Sequence, residues 1–200
     1  MANSLFKPFN MEDGIFLNNY VLHKSSFKDF WKWRKESNKP QPISFPVVKN
    51  NPSYLKSNKS EKTITWVGHS TFLIQIDGIN VLTDPHFTKR ASPLSFMGPT
   101  RTTPPGLNMD DLPFIDLVLI SHNHYDHLDA KTIKLLLKKQ NINQPIFFVP
   151  LKLKETISKL GASNVIEHEW WQMSKHRNLE IHSVPVQHWS KRTFNDTNKT

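Results

Sequence analysis

The chain has 200 residues, of which 26 are basic and 17 are acidic, and it contains no cysteine. The lack of cysteine excludes a disulfide framework and thiolate metal ligands, so a bound metal would have to be held by His, Asp or Glu. A hydrophobic content of 37% supports one globular domain with a core, and no apolar run reaches the roughly 18 residues that a membrane-spanning helix needs.

Residues 1–60 mix Pro, Asn, Ser and Lys with isolated aromatic residues, which predicts an N-terminal arm rather than a separate domain. One short helix is predicted over residues 26–37, where Ser26 can cap the helix and aromatic side chains follow with helical spacing: Phe27, Phe30 and Trp31. This aromatic face can dock on the core, as amphipathic helices of globular proteins usually do, or contact a membrane surface. The N-terminus carries no apolar leader, so we expect a cytoplasmic protein, with peripheral membrane contact left open.

Residues 61–200 are predicted to form the main α/β domain. It begins with strands over residues 63–67, 71–76 and 79–83, and Asp77-Gly78 favours a hairpin turn between the last two. A proline-rich loop over residues 85–113 follows, and long loops of this kind often carry function.

The rest of the domain alternates strands and helices. A buried strand is predicted over residues 116–121, followed by a helix over residues 130–139 that Asp129 caps. A second unit of strand, helix and strand is predicted over residues 146–149, 152–160 and 164–168. A last β-region over residues 179–186 then brings His188 to its end.

The most informative segment is Ser-His-Asn-His-Tyr-Asp-His-Leu-Asp over residues 121–129, directly after the buried strand. Imidazole nitrogen and carboxylate oxygen are ligands that Zn²⁺ prefers. His122 and His124 suit one ion, while Asp126 and His127 suit a second ion about 3.5–4 Å away, a spacing typical of two-metal hydrolases. A polar loop with merely hydrogen-bonded histidines is the alternative, and the clustering of four ligand-type residues disfavours it.

Three residues outside this segment are candidates for the same site. His188 is a metal ligand if the last strand ends at the site, and a surface histidine otherwise. Asp84 can accept a hydrogen bond from the second ring nitrogen of a metal-binding imidazole, or it can cap the turn before Pro85. His69 follows Gly68 at a strand end, where it can contact the substrate or serve only as a structural histidine.

Together these residues carry a family signature. The sequence resembles the metallo-β-lactamase fold of metal-dependent hydrolases and, within it, the N-acylphosphatidylethanolamine phospholipase D group. The resemblance covers residues 60–200 and is carried by Thr-Trp-Val-Gly-His-Ser (65–70), Leu-Thr-Asp-Pro (82–85), Arg-Ala-Ser-Pro (90–93), Met-Gly-Pro (97–99), the segment 119–129 and Gln-His-Trp-Ser-Lys-Arg-Thr (187–193).

The resemblance implies an αββα sandwich, of which this chain carries mainly the first half, and a centre with two zinc ions. It implies that His122, His124 and His188 bind one zinc, while Asp126 and His127 bind the other and serve catalysis. The family's bridging aspartate and final histidine are expected beyond residue 200. We therefore expect a domain that is incomplete at its C-terminus, foremost a truncated hydrolase, which a C-terminal half or a second copy of the chain could complete.

The function expected from this resemblance is zinc-dependent hydrolysis of N-acylphosphatidylethanolamine or a related phospholipid, with a hydroxide held between two zinc ions as the attacking group. The aromatic residues Trp170, Trp171 and Trp189, together with Phe96 and Met97, can line an apolar groove for acyl chains, although core packing explains the tryptophans equally well. A lactonase or a nuclease on the same scaffold is the alternative, as is a partial chain without activity. The net charge of +9 favours polyanions, but no compact arginine-rich patch predicts a specific nucleic-acid partner.

Overall fold

The computed structural model describes residues 10–18, 26–37, 46, 48–193 and 195–200. The strands are β1 (Asn10–Glu12), β2 (Ile15–Leu17), β3 (Thr63–Gly68), β4 (Thr71–Ile76), β5 (Ile79–Thr83), β6 (Leu117–Leu119), β7 (Ile146–Pro150), β8 (Val165–His168), β9 (Met173–His176) and β10 (Leu179–His182). The α-helices are α1 (Phe27–Glu36), α2 (Pro52–Ser57), α3 (Ala130–Lys139) and α4 (Lys154–Lys159), and a short 3-10 helix covers Met109–Asp111.

The centre of the fold is a six-stranded mixed sheet with the order β3-β4-β5-β6-β7-β8. The first three strands are antiparallel neighbours, and β5 to β8 are parallel. The predicted hairpin turn is present, because Ile76 pairs with Ile79 while Asp77 and Gly78 both have positive φ, at 51° and 73°. The predicted α/β class is confirmed.

This topology brings several chain segments to one edge of the sheet. β5 and β6 are parallel, so their carboxyl ends lie at the same edge. β3 is antiparallel to β4, which is antiparallel to β5, so β3 also ends there. The segments that follow these three strands contain His69, Asp84 and the histidine-rich stretch that begins at His122.

Apolar side chains are buried on both faces of the sheet. The larger cluster joins Leu73, Leu82, Val118 and Phe147 of the sheet to α2, α3 and α4, and the predicted inward side chains of α3 lie within it: Ile133, Leu136 and Leu137. Asp129 caps α3 by accepting hydrogen bonds from the amides of Lys131 and Thr132. A smaller cluster on the opposite face includes Ile79, Val81, Leu117 and Phe148, against which β10 packs Leu179 and Ile181.

The N-terminal arm differs from its prediction. The helix over Phe27–Glu36 is present, and Ser26 caps it with a reciprocal hydrogen bond to Asp29. The prediction of one short helix in residues 1–60 was wrong, because the arm also contains the β1-β2 hairpin and α2. Both elements are too short to show a hydrophobic period: each strand of the hairpin has 3 residues, and α2 has 6.

Docking on the core was one of the two alternatives for the aromatic face of α1, and contact with a membrane surface was the other. Trp31 in this helix is 54% exposed, so docking is wrong for this side chain. The part of the prediction that concerns the side chains of Phe27 and Phe30 lies outside the described residues. No helix among the described residues has the length and apolarity needed to cross a bilayer.

The last β-region also differs from its prediction over residues 179–186. The strand ends at His182 and forms a separate two-stranded sheet with β9, which the sequence analysis did not predict. The mostly polar sequence of β9 gives no hydrophobic alternation that would predict a strand. β10 does not continue to residue 186, because Pro185 has no amide hydrogen with which to extend the pairing. His188 therefore lies in an irregular segment rather than directly after a strand.

Candidate metal centre

Two groups of ligand-type side chains meet at the carboxyl edge of the sheet. The first comprises His122, His124 and His188, and the second comprises His69, Asp126 and His127. In each group the three candidate ligand atoms lie within 4.8 Å of one another. The groups adjoin, because the ring centroids of His122 and His127 are only 4.0 Å apart.

The first group consists of three imidazoles. His122 Nε2 lies 2.9 Å from His124 Nδ1, and the ring centroid of His188 lies 4.6 Å from that of His122 and 5.2 Å from that of His124. The structure therefore brings together the three histidines that the resemblance assigned to one zinc, although His188 comes from a segment 66 positions later in the chain (188 minus 122).

The second group contains a carboxylate. Asp126 Oδ2 lies 3.0 Å from His69 Nε2 and 3.8 Å from His127 Nε2, and the two imidazole Nε2 atoms are 3.3 Å apart. Asp126 and His127 were predicted to share an ion. The inclusion of His69 was not predicted, because a single histidine between two strands does not show the spacing of metal ligands.

A buried hydrogen-bond network supports the second group from below. Asp84 is only 5% exposed, and its Oδ2 lies 2.8 Å from His127 Nδ1, which is the contact predicted from the sequence. Ser121 donates its amide to Asp84 Oδ1 and its hydroxyl to Asp84 Oδ2, each at 2.7 Å. A carboxylate in this position fixes the ring orientation of His127 and leaves Nε2 directed at the group. Ser121 belongs to the motif, but no role was predicted for its side chain.

The backbone at this edge adopts conformations that cost free energy. His69 has φ +51° and Asp84 has φ +36°, both in the left-handed region that residues other than glycine rarely occupy. Such conformations cost on the order of 1–3 kcal/mol each and cluster at functional sites. Gly68, with φ +144°, allows the turn to pass beneath Arg101, whose Nη1 would lie 3.1 Å from an added Cβ.

The site electrostatics keep His122 and His124 of the first group neutral. Burial, followed by the nearby His127, His124 and His188, lowers the pKa of His122 to about 3. Burial and the neighbouring His188 also lower the pKa of His124. A neutral imidazole has a lone pair available for a metal ion, so both side chains are in the protonation state that ligation requires.

The second group has the opposite electrostatic character. Burial alone would lower the pKa of His127, but its hydrogen bond to Asp84 and the charges of Asp84 and Asp126 raise it. Burial alone would raise the pKa of Asp126, but His127, its own backbone amide and His69 lower it. The ionised carboxylate therefore supplies the negative charge that the first group lacks.

The residues present fit a divalent metal ion. His122 Nε2 and His124 Nδ1 lie only 2.9 Å apart, so two ring nitrogens of neutral imidazoles converge where one cation could bind both. Imidazoles with one carboxylate and no thiolate match the ligand chemistry of zinc and of other borderline first-row metals.

Two cavities open beside the ligands. A cavity of about 140 Å³ borders His122 and His188, and its walls include the aromatic side chains Phe16, Trp170 and Trp189. A cavity of about 390 Å³ borders His69 and Asp126. Phe96 and Met97, which were predicted to contact substrate, are 75% and 58% exposed and line neither cavity, so that role stays a prediction.

Arg192 connects the C-terminal segment to the metal-binding loop, which the sequence analysis did not predict. Its Nη1 donates to the carbonyls of Asn123 and Leu128, at 2.8 and 2.7 Å, and its guanidinium stacks over Tyr125 at 4.1 Å. Tyr125 in turn donates its hydroxyl to the carbonyl of Arg192 at 2.9 Å. This clamp lies four residues after His188 and holds its segment against the loop.

The fold and this centre define a member of the beta-lactamase superfamily, to which the chain belongs: the family model described as the beta-lactamase superfamily domain matches residues 79–200. An uncharacterized protein of Mycobacterium tuberculosis is 33% identical over 191 residues, which cover 92% of this chain and 50% of that protein. An N-acyl-phosphatidylethanolamine-hydrolyzing phospholipase D of Caenorhabditis elegans is 39% identical over 144 residues, covering 67% of this chain and 40% of that protein.

A third relative is a metal-dependent hydrolase of Methanopyrus kandleri, 29% identical over 132 residues, which cover 64% of this chain and 48% of that protein. The chain thus spans half or less of the length of these relatives.

Proposed function

We propose that this chain carries the ligand-rich part of a metal-dependent hydrolase that cleaves phosphodiesters, with N-acylphosphatidylethanolamine or a related phospholipid as substrate. The observation that carries the proposal is the contact between the two ligand groups, with the rings of His122 and His127 4.0 Å apart. Two neighbouring cations at about 3.5–4 Å are the arrangement that stabilises both the attacking and the leaving oxygen of a phosphodiester.

Each ligand group has a distinct part in this proposal. His122, His124 and His188 would hold one ion as neutral donors, and His69, Asp126 and His127 would hold the second, where the carboxylate compensates charge. When bound, the ions supply Lewis-acid chemistry and lower the pKa of water toward neutrality. Zinc is the metal we propose, on the basis of the nitrogen-rich ligand set.

Asp84 and Asp126 act through charge and orientation. Asp84 accepts the hydrogen bond that fixes His127, so the imidazole keeps its Nε2 toward the second group. Asp126 lies between His69 and His127, where it balances positive charge near the reacting phosphate.

The cavity beside the first group supports a lipid substrate. It borders His122 and His188, and its lining is mixed, with Leu17, Val184 and Val186 as well as the aromatic side chains. An apolar wall next to polar ligands suits an acyl chain attached to a charged head group. The phospholipase D of Caenorhabditis elegans, which matches 67% of this chain, supports the same substrate class.

The test combines metal binding with hydrolysis by the 200-residue chain. Native mass spectrometry of the zinc-loaded protein should show two ions, and the loaded protein should hydrolyse bis(4-nitrophenyl) phosphate and N-acylphosphatidylethanolamine. His124→Ala should abolish both hydrolyses, while His182→Ala, which removes an exposed histidine outside both ligand groups, should retain them. Hydrolysis of a lactone in place of both phosphodiesters would refute phosphodiester cleavage, and hydrolysis of RNA but not of N-acylphosphatidylethanolamine would refute the phospholipid substrate. Fewer than two ions would refute the two-metal centre.

A further inference from the structure

A short exposed tip projects from the long loop between β5 and β6. Its base is closed by an isolated bridge between Arg90 and Thr100 and by the amide of Ala91, which donates to the carbonyl of Pro99 at 3.0 Å. Arg90 Nη1 also donates to the carbonyl of Gly98 at 2.6 Å. These hydrogen bonds hold residues 91–99, the tip, in an ordered turn.

The tip presents apolar side chains to solvent. Leu94, Phe96 and Met97 are 39%, 75% and 58% exposed, although each is large enough to favour burial. Gly98 is required for this shape, because its φ is +104° and an added Cβ would lie 2.6 Å from the Cβ of Ser92. Contiguous apolar side chains on an ordered turn mark a surface that contacts something apolar.

Basic residues surround the tip. A groove of about 430 Å³ beside Leu94 is lined by Lys89, Arg90, Lys131, Lys134 and Arg192, with Asp129 as the acidic residue among its walls. Asp129 is buried, and its oxygens accept hydrogen bonds from Thr88, Thr132 and the α3 amides, so its charge faces inward. Residues 85–109 contain three basic residues and no Asp or Glu.

The three lysines of the groove are exposed, and within the described part of the chain none of them forms an ion pair. We propose that the tip and these lysines form a docking surface for an anionic phospholipid bilayer. The apolar tip enters the interface between head groups and acyl chains, and Lys89, Lys131 and Lys134 attract the anionic head groups.

The location of this surface connects it to the metal centre. Tyr125, between His124 and Asp126 in sequence, lines the same groove, as does Arg192, which holds the metal-binding loop. Docking at the tip therefore brings the ligand groups to the surface where a phospholipid substrate resides. In this respect the inference rests on the proposed function, but the docking itself requires neither metal nor hydrolysis.

The experiment measures co-sedimentation of the chain with vesicles of phosphatidylcholine, with or without phosphatidylserine, in the presence of a chelator. We expect binding only to vesicles that contain phosphatidylserine, and weaker binding as salt is added. Phe96→Ser/Met97→Ser and Lys131→Gln/Lys134→Gln should each lower the affinity at least about tenfold. The matched controls Ile142→Ser, at a side chain 89% exposed elsewhere, and Lys62→Gln/Lys154→Gln should lower it less than about twofold.

Several results would overturn the docking surface. Equal loss in the controls would show a nonspecific effect of charge or apolarity, and equal binding to vesicles without phosphatidylserine would remove the role of the lysines. Tighter binding to single-stranded RNA than to vesicles, unchanged by Phe96→Ser/Met97→Ser, would assign the groove to nucleic acid. Hydrolysis of soluble bis(4-nitrophenyl) phosphate reports separately on the proposed function. Vesicle binding by a chain that does not hydrolyse this compound would support docking while refuting the enzyme assignment.

Discussion

The two ligand groups differ in how the fold holds them. The second group, with His69, Asp126 and His127, stands on a turn of the central sheet and on the loop after β6, and buried Asp84 orients its imidazole. The first group shares that loop for His122 and His124, but its third member comes from an irregular segment in which His188 is exposed. One group is therefore fixed by the sheet, and the other depends on how residues 183–193 are held.

This difference shows how a site can be rigid on one side and adjustable on the other. A ligand that is already oriented loses little side-chain entropy on binding, whereas an unsupported side chain loses about 0.5–1.5 kcal/mol. The clamp made by Arg192 and Tyr125 reduces this cost for the first group, since it ties the segment to the loop. We therefore expect substitutions in the two groups to have unequal effects on metal affinity.

The largest effect is expected for His124→Ala. The substitution removes a ligand whose Nδ1 lies 2.9 Å from His122 Nε2 within the first group, so metal affinity there should fall more than about 100-fold, beyond the range for supporting residues. Hydrolysis should be abolished. Native mass spectrometry and a competing chromophoric chelator measure the loss, with His182→Ala as the control. An unchanged zinc stoichiometry would contradict the assignment of the first group.

Asp84→Asn should have the next largest effect, and it should be confined to the second group. The amide retains the size of the side chain, but its nitrogen cannot accept the hydrogen bonds that Ser121 and His127 donate to Oδ2. We expect a fall in metal affinity of about 10–100-fold and a loss of about 1–3 kcal/mol in the free energy of unfolding of the metal-free protein.

The control for Asp84→Asn is Asp77→Asn, which changes an exposed turn residue that also has positive φ. Chelator competition measures affinity, and chemical denaturation in chelator measures stability. If Asp84→Asn weakened the first group as strongly as the second, the two groups would be one cooperative unit and the comparison between them would be wrong.

The parts of the site that have local sequence signals were predictable, and the contacts between distant segments were less so. The strand before His122 is an apolar run, and the ligand types follow it within six positions, so both the strand and the loop have local signals. Asp84 follows another apolar strand, and parallel strands bring their ends to one edge, which makes its contact with His127 foreseeable.

Contacts between distant segments lacked such signals. His69 joins Asp126 because β3 ends at the same edge as β6, and this topology depends on a register that no short motif records. Arg192 donates to backbone carbonyls, which every residue carries, so the residue types do not indicate these contacts. The strand β9 was missed because three of its four residues are polar and they show no apolar alternation.

His188→Ala should have a smaller effect than His124→Ala and Asp84→Asn, and it tests the difference between the two ligand groups. His188 is exposed and lies in an irregular segment, so the entropy that its side chain loses on binding the metal offsets part of its binding free energy. We therefore expect the metal affinity of the first group to fall about tenfold. The free energy of unfolding of the metal-free chain should change by less than about 0.5 kcal/mol, as for other surface positions. A loss equal to that of His124→Ala would show that the segment is as rigid as the sheet edge.

The smallest effect is expected for Ser121→Ala, which removes one of the hydrogen bonds that Asp84 accepts. Asp84 keeps the amide of Ser121 at 2.7 Å and its contact with His127 Nδ1 at 2.8 Å, so His127 stays oriented. The loss of one hydroxyl donor is worth about 1 kcal/mol, or about fivefold in the metal affinity of the second group. Chelator competition against Ser60→Ala, an exposed serine in the segment before β3, measures this difference. A loss as large as that of Asp84→Asn would mean that the hydroxyl, and not the carboxylate, positions His127; no loss would mean that the backbone amide alone fixes Asp84.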